Sequence, residues 1–452
     1  MISVFFKTYG CQANVADSEG IMNYLRDLGC IKVEAELEAD LIFVNTCAVR
    51  KKAEDKVFSY LGQLLDLKKE KPYLCIGVIG CVASYRGKEI LERFTYVNFV
   101  HGAKEDINAL QGYLLDVITK LQTTKQLFLE NDRGEIEQRD KVSKNSVLMP
   151  ATRMLARMEV KRAFINIMTG CNNYCSFCIV PFTRGIEKSF IAEEIIKNVT
   201  AEVHAGAKEI TLIGQNVNSY RCPQSGTIFA GLLEQIAQIP GVFWVRYVSP
   251  HPKDMTVDVL EVMAKYKNKL CSWIHLPLQS GDDAVLVAMN RTYTVERYME
   301  IVGWIRTMLP EATISTDIIV GFPGESFEAY MSTRELMERI GFDFVFSFIY
   351  SRRKYTKAYR MEDACSLEEK TKRLEALQYR QKTISLERNS RLIGQQVIAL
   401  VEKRLSLGKL LARTSGNIRV TVCGQDAYIG SFVKLIITGA SPEGVSAFLI
   451  EI

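Results

Sequence analysis

Three cysteines, Cys171, Cys175 and Cys178, stand in the run Gly170-Cys171-Asn172-Asn173-Tyr174-Cys175-Ser176-Phe177-Cys178. Three thiolates on one short loop can hold three corners of a 4Fe–4S cluster, whereas a closed electron-transfer cluster takes four. The fourth iron is then open to a ligand, as in catalytic rather than structural metal sites, and suits the amino and carboxylate groups of S-adenosylmethionine. Zinc is the competing reading, since CxxC pairs bind it. Zinc usually takes four closed ligands from two paired knuckles, however, and the chain has no second CxxC.

Cys11, Cys47 and Cys81 form a second set. Each closes an apolar run suited to a buried parallel strand: ISVFFKTYGC, DLIFVNTC and LCIGVIGC. Ligands of an open parallel sheet gather beyond the carboxyl ends of its strands, so three such strands bring three thiolates to one edge. A second cluster with an open iron is the functional reading; cysteines packed in a core are the bland one. Cys30, Cys75, Cys222, Cys271, Cys365 and Cys423 lack this placement and read as ordinary core or surface thiols.

The elements that must position these thiols follow from periodicity. In the first 120 residues Ile21, Met22, Leu25 and Leu28 share one helix face closed by Gly29, and Ala53, Val57, Leu61 and Leu64 repeat the pattern, predicting an open parallel α/β domain. Residues 121–156 contain the polar run LENDRGEIEQRDKVSKNS and read as a linker. Over 157–388 six apolar runs, AFINIM, EITLI, FWVRYV, WIHLPL, TISTDIIVGF and FVFSFIY, alternate with helical patterns and predict an open, partial (β/α)6 barrel. Ala192, Ile195, Ile196, Val199 and Val203, stopped by Gly206, mark its first helix. A basic, helix-favouring segment from Glu368 to Arg388 leads into residues 389–452, where VIALVE, KLLART, IRVTVC, FVKLIITG and SAFLIEI predict a small all-β barrel.

The chain has 452 residues, 48% of them hydrophobic and 24% charged, which excludes a largely disordered protein. Nothing in it reads as a membrane span or signal peptide, so a cytoplasmic enzyme without membrane contact is expected. The formal net charge is +5, and residues 351–391 alone hold 12 Lys and Arg against 6 Asp and Glu. That excess suits a polyanion or a solvated helix face equally.

The runs TYGCQANVADSE, NTCAVRKKAEDKV, GCNNYCSFCIVPFTRG, LIGQNVNSY, HLPLQSGDD, MNRTYT and DIIVGFPGE occur in that order over nearly the whole chain. Together they resemble the methylthiotransferase family, specifically its MiaB-type tRNA-2-methylthio-N6-dimethylallyladenosine synthases. The resemblance implies an N-terminal methylthiotransferase domain, a radical-SAM core and a C-terminal TRAM domain that binds RNA. It implies two 4Fe–4S clusters and S-adenosylmethionine as cofactors, with Cys171, Cys175 and Cys178 holding the radical-generating cluster and Cys11, Cys47 and Cys81 an auxiliary cluster for sulfur delivery. One S-adenosylmethionine would methylate sulfur; another would be reduced to a 5′-deoxyadenosyl radical that takes hydrogen from C2 of N6-isopentenyladenosine next to the anticodon. Such a C–H bond resists acid–base attack, so a cofactor-born radical fits a chain with only four histidines. The implied partners are tRNA and an electron donor, and a monomer is expected.

Further residues follow barrel strands and so lie at the ligand end. Gln215, Asn216 and Asn218 either bond the methionine or ribose part of S-adenosylmethionine or cap a turn. Ser249 and His251, Gln279 and Ser280, and Gly321 to Glu325 either join them or merely form loops. Lys403, Arg404, Lys409, Arg413, Arg419 and Lys434 give the terminal barrel a basic surface for phosphate, extended by Arg352, Arg353, Lys354 and Lys357. Two departures from the family stand near the expected substrate approach: YSRRKYTKA, including Arg352, Lys354 and Tyr355, replaces a YSPRPGTPA-like run, and IEKSF, from Ile186 to Phe190, replaces RERSR. Relatives acting on threonylcarbamoyl-adenosine or on a ribosomal-protein aspartate tend to carry GCKVN or GCPKN where Gly10 to Asn14 read GCQAN. A non-enzymatic iron–sulfur RNA-binding redox protein is the rival of another class.

Overall fold

The computed structural model describes residues 1–48, 51–139, 160–363 and 365–451. They fall into two units, Met1–Arg153 with Ile179–Ile186, and Met154–Cys178 with Glu187–Ile452.

The first unit runs β1 (Ser3–Tyr9), α1 (Gln12–Asp27), β2 (Ile31–Lys32), β3 (Leu41–Thr46), α2 (Lys51–Glu70), β4 (Cys75–Gly80), α3 (Cys81–Arg93), β5 (Phe99–Gly102) and α4 (Ile107–Arg139). The strands form a parallel sheet in the order β2-β1-β3-β4-β5. β3 and β4 are buried at every position because helices cover both faces. Successive side chains alternate between the two layers. Ile42, Val44, Ile76 and Val78 pack with Val57, Leu61 and Ile90, whereas Leu41, Phe43 and Ile79 pack with Ile21, Leu25, Leu110 and Leu114.

The expected linker at 121–156 needs correction in its first part, because α4 continues unbroken to Arg139. The stretch is rich in Leu, Glu, Gln and Arg and free of proline, so loss of apolar period there does not end the helix. Residues 140–156 of that linker lie outside the described residues.

The second unit comprises β6 (Arg162–Asn166), β7 (Met168–Thr169), then, after a segment carrying α5 (Val180–Arg184) that groups with the first unit, β8 (Lys188–Ser189), α6 (Ala192–His204), β9 (Glu209–Ile213), α7 (Phe229–Gln238), β10 (Trp244–Tyr247), α8 (Val257–Lys265), β11 (Trp273–His275), α9 (Asp283–Ala288), α10 (Val295–Met308), β12 (Thr313–Val320), α11 (Phe327–Ile340) and β13 (Phe344–Ile349). The six predicted barrel strands are β6, β9, β10, β11, β12 and β13. They are all parallel and form two three-stranded sheets, β10-β9-β6 and β11-β12-β13, linked by a bridge between Val245 and Leu270. Ile210, Leu212, Val245, Ile274 and Ile314 share one hydrophobic core with Ile195, Val199, Leu232 and Ile301 of the surrounding helices.

The chain then enters α12 (Leu367–Ser390) and a closed five-stranded barrel of β14 (Gln396–Ser406), β15 (Lys409–Thr414), β16 (Arg419–Cys423), β17 (Phe432–Ser441) and β18 (Gly444–Glu451), ordered β14-β15-β16-β18-β17. Its β15–β16 turn closes the N-terminal mouth of the larger barrel. Arg246 on β10 donates to the carbonyls of Thr414 at 2.8 Å and Ser415 at 2.7 Å, while Thr313 donates to the carbonyl of Gly416. A side chain at Gly416 would meet Thr313 Cγ2 at 2.9 Å, so the close approach requires glycine. Ion pairs reinforce the joint: the half-buried Arg162 of the larger barrel pairs with buried Glu402 of the smaller one, which also pairs with Arg413 at 2.7 Å, and buried Arg246 pairs with Glu209 at 2.6 Å.

Candidate active site

In the first unit Cys11 is the residue preceding α1, Cys47 follows β3, and Cys81 opens α3, so all three stand at the carboxyl edge of the sheet. Two asparagines brace this edge. Asn14, fully buried, donates to Asn45 Oδ1 at 2.9 Å and to the Thr46 carbonyl at 3.1 Å, and Asn45 donates back to the Asn14 carbonyl at 2.8 Å. Asn14 Oδ1 also accepts from the backbone N–H of Cys11 at 3.3 Å. Gly80 has φ +91°, and a Cβ there would sit 2.4 Å from Asn45 Oδ1. The motif residues around the cysteines thus fix where the thiols stand.

The Cys11 thiol is pulled down to about 6, chiefly by a hydrogen bond from Cys47, and against burial. Burial pushes the Cys81 thiol up. The segment after Cys178 supplies a cation here: Arg184, almost wholly buried, bonds Asp17 on α1 at 2.7 Å, and the Thr183 carbonyl accepts from Ser84 on α3 at 2.8 Å. The charge of the Arg184 guanidinium acts on both Cys81 and Cys11, favouring their thiolates. Arg184 sits inside the quoted PFTRG run, yet its burial depends on tertiary packing, which no local pattern reveals.

In the second unit the Cys171–Cys178 loop is held from several sides. Gly170, at φ +76°, starts it, and its N–H donates to Gln215 Oε1 at 2.6 Å. Asn290 donates to the carbonyls of Asn173 at 3.1 Å and Tyr174 at 3.0 Å. The Ser176 N–H and hydroxyl donate to the carbonyls of Met289 and Ala288, and the Cys178 N–H to the Cys175 carbonyl, all within 2.9 Å. Arg291 donates to Cys175 Sγ at 3.4 Å. Burial raises the Cys171 thiol. Asn290 and Arg291 were not among the predicted site residues, although the run MNRTYT that contains them was.

The other predicted contacts divide. Asn216 donates to Asp254 at 2.8 Å, but among the described residues its buried Oδ1 has no hydrogen-bond partner, and neither has the buried Nε2 of His251. Asn218 is spent on the His251 backbone, accepting from its N–H at 2.8 Å and donating to its carbonyl at 2.9 Å, and Gln215 is engaged by Gly170. Ser280, wholly buried, faces Thr333 on α11 at 3.3 Å. Ser249 and Gln279 both have left-handed backbones, at φ +62° and +70°. Gly321 donates to Glu325 at 2.6 Å, and Glu325 pairs with Arg373 of α12.

The donor sets fit iron–sulfur clusters: three thiols on one loop or one sheet edge, each set beside a buried guanidinium that suits bound anionic sulfur. The orphaned Asn216 Oδ1 and His251 Nε2, beyond β9 and β10, fit a polar ligand such as S-adenosylmethionine. Among the described residues no three metal-binding side chains already surround one point. The thiolates of a 4Fe–4S cluster bind different irons and need no common point.

On the terminal barrel Lys403, Lys409, Arg419 and Lys434 are exposed, whereas Arg404 pairs with Asp426 and Arg413 is drawn to Glu402. Of the departing segments, Ala358 donates its N–H to the Ser176 carbonyl at 2.8 Å, Arg353 is buried, and Tyr355 is exposed with φ +77°. Ile186 and Phe190 are exposed.

Residues 3–102 match the family described as Uncharacterized protein family UPF0004, and residues 165–337 match the Radical SAM superfamily. The radical S-adenosylmethionine methyltransferase TsrM from Kitasatospora setae shares the fold, with TM-score 0.52 and 12% identity over 77% of this chain and 73% of that one. Fold and cysteine loop therefore define a radical SAM protein, with the 4Fe–4S cluster and S-adenosylmethionine which that superfamily implies. The chain is 39% identical to the tRNA-2-methylthio-N(6)-dimethylallyladenosine synthase of Carboxydothermus hydrogenoformans, over 96% of both chains. It is 38% identical to that of Geobacter metallireducens, over 98% of this chain and 97% of the relative. The chain belongs to the family of tRNA-2-methylthio-N(6)-dimethylallyladenosine synthases.

Proposed function

We propose that this chain is a radical-SAM methylthiotransferase that adds a methylthio group to C2 of N6-isopentenyladenosine next to the anticodon of tRNA. The observation that carries the reading is the pair of three-cysteine sites, one in each unit, in a chain that matches synthases of this name along almost its whole length. A cluster with bound S-adenosylmethionine supplies the radical chemistry that an inert aromatic C–H bond requires. In this reading Cys171, Cys175 and Cys178 hold that cluster, Asn290 and Ser176 keep their loop in place, and Asn216 and His251 offer polar atoms to the bound ligand. Cys11, Cys47 and Cys81 hold a second 4Fe–4S cluster for sulfur delivery, braced by Asn14 and Asn45. Lys403, Lys409, Arg419 and Lys434 meet tRNA phosphates. We place the protein in the cytoplasm as a monomer served by an external electron donor; no helix among the described residues is long and apolar enough to cross a membrane.

Mass spectrometry of tRNA nucleosides from cells with and without the protein tests the reading. The methylthio form of the prenylated adenosine should disappear in the deletion, with the unmethylthiolated form accumulating. Unchanged nucleosides, or loss of a different methylthiolated product, would overturn it.

A further inference from the structure

Arg291 is only 7% exposed, and its three donor positions are all engaged. Nη1 reaches Cys175 Sγ at 3.4 Å, Nε the Tyr293 hydroxyl at 3.0 Å, and Nη2 the Pro277 carbonyl at 2.9 Å. Among the described residues none of these partners is a carboxylate. Other buried arginines of the same unit differ: Arg246 has Glu209 and Arg373 has Glu325. A buried cation without an anion is costly, and the expense persists only where something else supplies the charge. The atom that Arg291 faces is a sulfur of the cysteine loop. Three thiolates on a 4Fe–4S cluster leave the assembly anionic, and reduction adds a further negative charge.

We propose that Arg291 is a positioning residue for the radical-generating cluster: its guanidinium is the counter-charge held in place for the cluster on Cys175, and it raises that cluster's reduction potential. The electrostatic reason is that a fixed cation in a poorly solvated site stabilises the more negative, reduced form more than the oxidised one. The hydrogen bond to Cys175 sulfur acts in the same direction. Tyr293 and the Pro277 carbonyl hold the guanidinium so that it cannot swing away. The inference rests on the reading that Cys171, Cys175 and Cys178 carry the cluster.

The test uses the full-length chain, anaerobically reconstituted, in a C11A/C47A/C81A background so that one cluster contributes. Wild-type Arg291, Arg291→Lys and Arg291→Met are compared by iron content, by electron paramagnetic resonance during a redox titration, and by melting temperature with and without iron. R291M should shift the midpoint potential to more negative values, and R291K should restore most of it. Loading should raise the melting temperature of the Arg291 protein more than that of R291M, because only the former carries a cation awaiting its anion. An unchanged potential in loaded R291M overturns the proposal. If R291M fails to load, the iron-free comparison decides: R291M less stable than Arg291 protein without iron would show a merely structural residue. Undiminished iron in a C171A/C175A/C178A variant would instead defeat the underlying reading, and is told apart by that measurement alone.

Discussion

Gly80 shows how little freedom the residues around the thiols have. Its φ of +91° and the 2.4 Å approach of Asn45 Oδ1 leave no room for a side chain. Gly80→Ala should cost about 1–3 kcal/mol from backbone strain alone, read as a lowered unfolding midpoint, and should displace Cys81 and reduce iron content. His251 gives a pH signature. Burial and the nearby Arg291 and Lys253 charges lower its imidazole to about 2. Below the ordinary value of about 6.5 an unfolded chain takes up a proton that the folded one refuses, so stability is lost as pH falls from there, by up to roughly 1.4 kcal/mol per pH unit. His251→Asn should flatten the decline of melting temperature between about pH 7 and about pH 5; an identical decline in both proteins would contradict this. The placement of the cysteines was legible in the sequence, because spacing puts Cys171, Cys175 and Cys178 on one loop and the ends of three apolar runs put Cys11, Cys47 and Cys81 at one sheet edge. His251 was legible as a residue at the ligand end of the barrel, but Arg184 and Arg291 were not, because only the fold decides whether such a side chain is buried beside a sulfur or solvated.

The β15–β16 turn changes how the terminal barrel is understood. It is bonded into the mouth of the larger barrel through Arg246, Thr313 and Glu402, so the terminal barrel is anchored to the larger one and not merely tethered. Arg246→Met would leave Glu209 buried without its closest cation and should destabilise the protein by about 3–5 kcal/mol, measured by chemical denaturation. RNA contact is better tested on the exposed Lys403, Lys409, Arg419 and Lys434 than by removing the domain. Replacing all four with alanine should weaken tRNA binding and reduce the slope of log affinity against log salt by up to about 4, with melting temperature unchanged; an unaltered slope would remove these residues from the interface. Every predicted strand exists because strict apolar runs and turn residues mark strands locally. The extent of α4 was not legible, because its sequence beyond residue 120 shows no clear apolar period to follow.

At the scale of the molecule, the sequence pattern told of an α/β sheet domain, a partial barrel and a small β barrel. It did not tell that residues 179–186 leave the cysteine loop to group with the first unit, since Ile179 packs with Cys81 and Val82 across a long stretch of chain. The central claim is a division of labour between two thiol sets. Its most direct test is the reaction of the folded, reconstituted C11A/C47A/C81A variant with S-adenosylmethionine, a reductant and tRNA bearing the prenylated adenosine, with 5′-deoxyadenosine and methylthiolated nucleoside both quantified. The variant should still cleave S-adenosylmethionine to 5′-deoxyadenosine while forming no methylthiolated nucleoside. Methylthiolated tRNA from that variant would contradict the account.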